Sequence, residues 1–206
     1  MTLDRRLNAF RPDLAEASLK GRVEAERFVE GSSARVAVPV IALRPKPDLA
    51  AGIDTELLMG EEVTIFERRD GWCWVKALAD GYVGYLPETA VRQGAAAPTH
   101  VVIPQRTFVY PEPELRKPHA AILSMGSLVH VVGTAEARGN HYVVLEDGTA
   151  IFAKHVQPIG DNRGGDFVDV ALRFLETPYL WGGRSGLGID CSGLVQLALS
   201  MTGRSA

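Results

Sequence analysis

The sequence predicts an α+β protein that begins with two small all-β barrels and ends in a helical region. Met59-Gly60 precedes the alternating apolar run VTIF, and Met125-Gly126 precedes VHVV, so a pattern recurs after 66 residues. In each copy, stretches with period-two apolar spacing lie between Pro, Gly and Asp turns, which is typical of an antiparallel barrel. About the last forty residues instead show the apolar spacing of helices.

The repeat and the composition of the segments between its copies set the expected domain boundaries. The predicted regions are an N-terminal arm at 1–33, a first barrel at 34–94, a second barrel at 98–158 and an incomplete last domain at 165–206. Residues 94–98 and 160–165 are rich in Gly, Ala and polar residues, which favours linkers. The arm carries apolar residues that are expected to lie against the barrels.

The first barrel ends in a segment of recognisable type. Residues 71–91 read GWCWVKALADGYVGYLPETAV and resemble the final strands of a bacterial SH3-like barrel, which closes with a short 3₁₀ turn. In the second copy, Tyr142 replaces Trp74 and GTAIFAK replaces GYVGYLP. We therefore expect two tandem all-β SH3-like barrels, of which the second is more diverged.

Near the C-terminus, one cysteine lies between a glycine-rich stretch and an apolar helical pattern. The pattern predicts a helix that starts close to Cys191, with Asp190 as its N-cap accepting from the amide of Ser192 or Gly193. The free amides of a first turn favour a thiolate, whereas the Asp190 carboxylate opposes it. Cys191 is therefore a candidate nucleophile, although a lone cysteine beside a helix is more often a small core residue.

The whole string PYLWGGRSGLGIDCSG resembles the NlpC family of papain-like cell-wall cysteine peptidases. The resemblance implies that Cys191 attacks an amide carbonyl and that a histidine downstream serves as base. It also implies that Asp190 and Ser192 help to hold the free amino end of a stem peptide and that Tyr179 steadies the oxyanion. The alternative roles are structural, with Asp190 and Ser192 as cap residues and Tyr179 in packing.

In members of this family, SH3-like barrels often wall off one end of the cleft. Trp72, Tyr82 and Tyr85 are candidates for such a wall by resemblance, and the alternative is that they simply pack the barrel.

The chain departs from the family pattern because no histidine follows Cys191. All five histidines precede it: His100, His119, His130, His141 and His155. The sequence therefore suggests the helical front part of a papain-like domain, truncated after the nucleophile helix and inactive as a fragment. Such a truncation is expected to leave one helix face exposed, formed by Leu194, Leu197, Ala198 and Met201.

The resemblance implies an endopeptidase that cuts peptidoglycan-derived peptides between γ-D-glutamate and the next diamino acid, with no metal and no cofactor. Two alternatives stay open: a non-catalytic SH3-like binding module for wall peptides or a protein partner, and a related papain-like amidase or acyltransferase.

Composition excludes several other classes. A net charge of −3 without a Lys/Arg cluster argues against nucleic acid and anionic lipid as partners. The sequence has no apolar run long enough for a signal peptide or a membrane span, which predicts a cytoplasmic location. Cys73 and Cys191 lie in unrelated contexts and are expected to be reduced thiols. The oligomeric state is left open.

Overall fold

The structure is a computed structural model that describes residues 3–160 and 165–204. It is mostly β, and the described residues form two α helices of 6 and 11 residues. No helix within the described ranges is long and apolar enough to cross a membrane. Most of the predicted linker at 160–165 lies outside the described residues.

The chain forms two compact units. One contains the residues up to Leu57 together with Glu61–Ala95, and the other contains Leu58–Gly60 together with the residues from Ala96 onward.

The strands of the N-terminal part are short and mostly antiparallel. They are β1 Leu14–Glu16, β2 Arg27–Val29, β3 Ser32–Val36, β4 Val40–Leu43, β5 Thr55–Leu58, β6 Glu62–Arg69, β7 Trp72–Ala77, β8 Val83–Pro87 and β9 Val91–Arg92. Short 3₁₀ turns occupy Ala17–Leu19 and Glu88–Ala90, and the second of these is the closing turn that the sequence predicted.

A five-stranded sheet in the order β8-β7-β6-β3-β9 dominates the first unit, and β4 pairs with β5. Inward-facing residues such as Val63, Val75 and Leu86 alternate with outward-facing ones and form a core with no exposure to solvent. The β6–β7 hairpin has a two-residue loop, Asp70-Gly71, in which both residues have positive φ, as a type I′ turn requires.

The N-terminal arm packs onto this sheet. Leu14 is buried against Trp74 and Val83, and Arg11 stacks over the Trp74 ring with its guanidinium carbon 4.4 Å from the ring centroid. Arg11 also donates to Glu67 at 2.7 Å. Burial alone would lower the pKa of Arg11, but its hydrogen bonds raise it. The arm is thus part of the first unit, as its apolar residues suggested.

Among the residues that the structure describes, the second unit contains ten strands and two α helices. They are β10 His100–Val102, β11 Arg106–Val109, β12 Ala121–Ser124, β13 Leu128–Val129, β14 Val131–Ala137, β15 Asn140–Leu145, β16 Ala150–Phe152, β17 Val156–Pro158, α1 Phe167–Leu172, β18 Arg184–Ser185, β19 Gly188–Ile189 and α2 Cys191–Met201. A 3₁₀ turn at Ala153–His155 precedes β17.

The strands of the second unit pair in the same order as those of the first. β13 and β14 are separated by one residue, and together the sheets run β16-β15-β14 and β13-β10-β17. Register shifts fall between Ile65 and Glu67 in one hairpin and between Val131 and Gly133 in the other, so the irregular positions are also 66 residues apart. The β14–β15 turn again has two residues of positive φ.

The apolar face of α2 is not exposed, so the expectation of an exposed stripe was wrong. Leu197, Ala198 and Met201 are at most 7% exposed, and Leu194 packs beside them. Some of the residues that cover this helix face come from the β-rich segment 100–158. The helix face is buried because this segment already supplies enough apolar surface to cover it, so no further sheet is needed. The partners are Val101, Met125, Phe174 and Ile189.

Candidate active site

The start of α2 is built around Asp190. The Asp190 carboxylate accepts from the amide of Gly193 at 2.7 Å, which makes it the N-cap, and from the Ser192 hydroxyl at 2.8 Å. Its other oxygen accepts from the amide of Gly182 at 2.9 Å. Partial burial alone would raise the pKa of Asp190, but these hydrogen bonds lower it below its ordinary value. The carboxylate is therefore charged at neutral pH.

Two backbone connections hold this cap against the segment that precedes it. The amide of Asp190 donates to the carbonyl of Gly183 at 3.0 Å, and the amide of Ile189 donates to the carbonyl of Pro178 at 3.1 Å. Strands β18 and β19 form a tight hairpin between these points. The glycine-rich stretch is therefore a folded turn whose end sets the position of Cys191.

Close approach explains why glycine recurs here. A Cβ on Gly193 would lie 2.2 Å from the Gly183 carbonyl oxygen, and a Cβ on Gly183 would lie 2.7 Å from the Gly188 carbonyl oxygen. Both clashes involve backbone atoms, which cannot move away as the end of a side chain can. Residues with side chains at these positions would push the first turn of α2 away from the hairpin.

Cys191 is the first residue of α2, and it is exposed. Ser192 is exposed next to it. Tyr179 pairs through its backbone with Ile189, and its side chain is 65% exposed. The structure thus brings Cys191, Asp190 and Ser192 together directly and connects Tyr179 to the same turn through the residue before Asp190.

Each histidine has a partner away from this turn. The identified partners are Thr99 for His100, the Phe108 ring for His119, the Ala97 carbonyl for His130, Glu136 for His141 and Thr107 for His155. His155 lies in the 3₁₀ turn Ala153–His155, and burial lowers its pKa. In the part of the chain that the structure describes, no hydrogen bond joins a histidine to the Cys191 thiol.

The other cysteine has a different environment. Cys73 has no exposed surface, lies in β7, and accepts a weak contact from Arg68 at 3.5 Å. Burial raises the pKa of its thiol despite the opposing effect of Arg68. Both cysteines are free thiols.

The aromatic residues proposed for a cleft wall are half-buried in the first unit. Tyr82 packs on the core of the first unit, and Tyr85 packs beside Trp74 and accepts a hydrogen bond from Arg11 at 2.9 Å. Within residues 3–160 and 165–204, no cluster of three or more His, Cys, Asp or Glu side chains has the arrangement of a metal site.

Comparison with known families gives two matches. A family model described as the bacterial dipeptidyl-peptidase Sh3 domain matches residues 43–91, and the NlpC/P60 family model matches residues 176–205, which include the cap and the cysteine. The chain is therefore similar to NlpC/P60 family proteins at its C-terminal end and to bacterial SH3 domains in its first unit. The second match begins just before the PYLWGG segment and extends through α2.

Relatives with curated names are peptidases. The chain is 28% identical to dipeptidyl-peptidase 6 of Lysinibacillus sphaericus, an alignment that covers 78% of this chain and 66% of the relative. It is 26% identical to gamma-D-glutamyl-L-lysine dipeptidyl-peptidase of Bacillus cereus, covering 68% of this chain and 48% of the relative. The chain therefore spans about half to two thirds of the length of these relatives.

A solved structure supports the fold. An NlpC/P60 family protein from Bacillus cereus ATCC 10987 superposes with a TM-score of 0.70 at 20% identity, covering 84% of this chain and 73% of that one. At this level of identity the similarity concerns the fold alone.

The sequence analysis missed the second backbone amide that donates a hydrogen bond to Asp190, the amide of Gly182. The amide of Gly182 reaches the carboxylate because Gly182 has a positive φ of 74°. The signal in the sequence was the glycine pair after Trp181, since adjacent glycines mark a turn with unusual backbone angles.

Proposed function

We propose that Cys191 is the nucleophile of a cysteine endopeptidase that acts on peptidoglycan-derived peptides. The observation that carries this proposal is an exposed thiol on the first residue of a helix whose cap is held by three hydrogen bonds. Such a thiol is accessible and lies beside the free amides of the first helical turn. The names of the relatives favour a γ-D-glutamyl bond as the bond that is cut.

In the proposed reaction, the Cys191 sulfur attacks the γ-carbonyl carbon of D-glutamate. The C–N bond to the next diamino acid breaks, the amine leaves with a proton, and water then hydrolyses the thioester. The charged Asp190 would pair with the free amino end of the peptide, with Ser192 beside it, and the Tyr179 hydroxyl would donate to the oxyanion.

This reaction also needs a base that takes the thiol proton and passes it to the leaving amine. The histidines of residues 1–206 are engaged elsewhere, so we propose that this chain alone turns over little substrate. Losing the base of a nucleophile–base unit costs several orders of magnitude in rate.

We further propose that residues 98–158 form a second, diverged SH3-like barrel that follows a first barrel at 34–94 and an arm at 1–33. The shared strand order and the matching irregular positions support this division. Residues 165–206 would then be the front part of the peptidase domain. A cytoplasmic location and a cleft wall built from Trp72, Tyr82 and Tyr85 stay predictions from the sequence.

The test is labelling with a substrate-like electrophile. We expect L-Ala-γ-D-Glu chloromethyl ketone to alkylate Cys191 about tenfold faster than its N-acetylated form, because the free amine can pair with Asp190. Asp190→Asn should remove most of this preference, and Cys191→Ser should abolish the label on residue 191. Peptide mass spectrometry measures each rate.

Equal rates with the two reagents would contradict the peptidase proposal and favour the binding module. A chromatographic assay of L-Ala-γ-D-Glu-diaminopimelate cleavage completes the test, on the 206-residue chain and on any longer chain that its gene encodes. Thiol-dependent turnover by residues 1–206 alone would contradict the proposed need for a further base, and His141 and His155 would then be replaced first.

A further inference from the structure

The hairpin that leads to Cys191 is anchored on the second β region, which we define as strands β10–β17 between His100 and Pro158 and the turns that join them. Gly186 lies in the two-residue loop between β18 and β19, and its buried amide donates to the Ser124 hydroxyl at 3.0 Å. Ser124 is the last residue of β12 and is 1% exposed. This hydrogen bond joins residues 62 positions apart in the chain.

The contact around this hydrogen bond is close. A Cβ on Gly186 would lie 2.5 Å from the carbonyl oxygen of Gln105, so only glycine lets the hairpin loop come this near. The Gln105 side chain also donates to the Thr177 hydroxyl at 2.7 Å, just before the PYLWGG segment. The second β region is therefore contacted by the loop of the hairpin, at Gly186, and by the segment before the hairpin, at Thr177.

The helix that begins at Cys191 rests on the turn that follows Ser124. Met125 is fully buried in the same core as Ile189 and Leu197. A Cβ on Gly126 would lie 2.8 Å from a methyl group of Leu197. Residues 124–126 thus contact both the hairpin that ends just before Asp190 and the helix that begins at Cys191.

We propose that Ser124 is a positioning residue for Cys191. Its hydroxyl fixes the loop of the hairpin, and the other end of that hairpin delivers Asp190 and Cys191 to the start of α2. The second β region thus serves as the scaffold of the nucleophile. This proposal rests on the proposed role of Cys191, which it deepens.

The chain offers a matched control in Ser127. It is a second buried serine in the same turn region, fully buried, and its hydroxyl has no hydrogen-bond partner among the described residues. Ser124→Ala leaves the Gly186 amide buried without its acceptor, whereas Ser127→Ala removes no hydrogen bond. The two substitutions are otherwise the same chemical change.

The readout is amide hydrogen exchange by NMR together with iodoacetamide labelling of Cys191. In Ser124→Ala we expect the Gly182 and Gly193 amides to exchange about tenfold faster, since the hairpin that holds Asp190 loosens. Cys191 should react about threefold more slowly, because an already exposed thiol gains no access but loses the ordered amides of the first turn. Ser127→Ala should change neither.

Equal effects of the two substitutions, or faster exchange spread through β14 and β15, would overturn the proposal. If Ser124→Ala does not fold, the unmodified chain decides by native-state exchange in low urea. The amides of Gly186 and Gly193 should then open with the same free energy, and an independent opening of Gly186 would overturn the proposal. Neither readout needs turnover, so this result is separate from the labelling test of the peptidase function.

Discussion

Replacing Asp190 with alanine should destabilise the start of α2 by about 2.5 kcal/mol. The lost N-cap bond to Gly193 contributes about 1 kcal/mol, in the usual range for a cap. The lost bond from the Gly182 amide contributes about 1.5 kcal/mol, since hydrogen bonds to a charged acceptor are the stronger ones. The exposed Ser192 hydroxyl can bond to water instead, so it adds little.

Hydrogen exchange measures this loss in the 206-residue chain. A change of about 2.5 kcal/mol corresponds to roughly 60-fold faster exchange of the amides in the first turn of α2. The exchange rate in Asp190→Asn should lie between those of the wild type and Asp190→Ala. An amide side chain still offers one acceptor oxygen to the Gly193 amide, but it presents a donor to the Gly182 amide.

The matched control is Asp166, the N-cap of α1. It accepts a single exposed hydrogen bond from Val168 at 2.9 Å, so Asp166→Ala should cost about 1 kcal/mol or less. If Asp190→Ala costs no more than Asp166→Ala, the bond to Gly182 contributes nothing, and the reasoning about the doubly held cap is refuted.

Acid should act on the same interaction. The pKa of Asp190 is lowered in the folded chain, so the unfolded state takes up its proton first as the pH falls. The stability from Asp190 is complete above its unfolded pKa of about 3.9 and is lost as the pH falls through the folded value. Below about pH 4, the opening free energy of the first turn of α2, obtained from amide exchange relative to the intrinsic rate, should therefore fall more steeply in the wild type than in Asp190→Asn.

Four further outcomes are expected. Iodoacetamide should label Cys191 at least about 100-fold faster than Cys73 at neutral pH, because one thiol is exposed and the other is buried with a raised pKa; similar rates in peptide mass spectrometry would contradict this. Glu176→Gly should stabilise the second unit by about 1 kcal/mol in urea denaturation, since residue 176 has a φ of 67°, and a loss of stability would show that its side chain outweighs the backbone strain. Burial lowers the pKa of His155, so stability should fall as the pH drops from about 7 to 5 while the unfolded state gains a proton, and His155→Gln should flatten that slope in urea titrations. Arg11→Ala should cost the first unit about 2 kcal/mol in urea denaturation, through the lost ring stacking and ion pair, whereas a cost below about 0.5 kcal/mol would place it with ordinary surface pairs.

Local rules were enough to predict the start of α2. Asp190 precedes the helix and its carboxylate reaches the amide three residues later, a geometry that depends only on neighbouring residues. The position of Cys191 on the first turn follows from the same rule. The 3₁₀ turn Glu88–Ala90 was also predicted, from a resemblance confined to one segment.

The partners of α2 show where sequence reasoning failed. The apolar spacing of Leu194, Leu197, Ala198 and Met201 identified the face that must be buried but not what buries it, and the expected exposure was wrong. Met125 lies in β-region sequence about 70 residues earlier, and nothing in its local pattern indicates a helix as its neighbour.

Patterns over a few residues were enough to predict the strand periodicity, the Pro, Gly and Asp turns, the helix start at Cys191 and its Asp190 cap. The folded structure was needed to show which surface covers α2, that Ser124 bonds the hairpin loop, and that His155 pairs with Thr107. The physical reason is that a cap or a turn is fixed by a few backbone angles of adjacent residues. Contacts between distant residues depend instead on how whole buried surfaces fit together, which apolar periodicity does not encode.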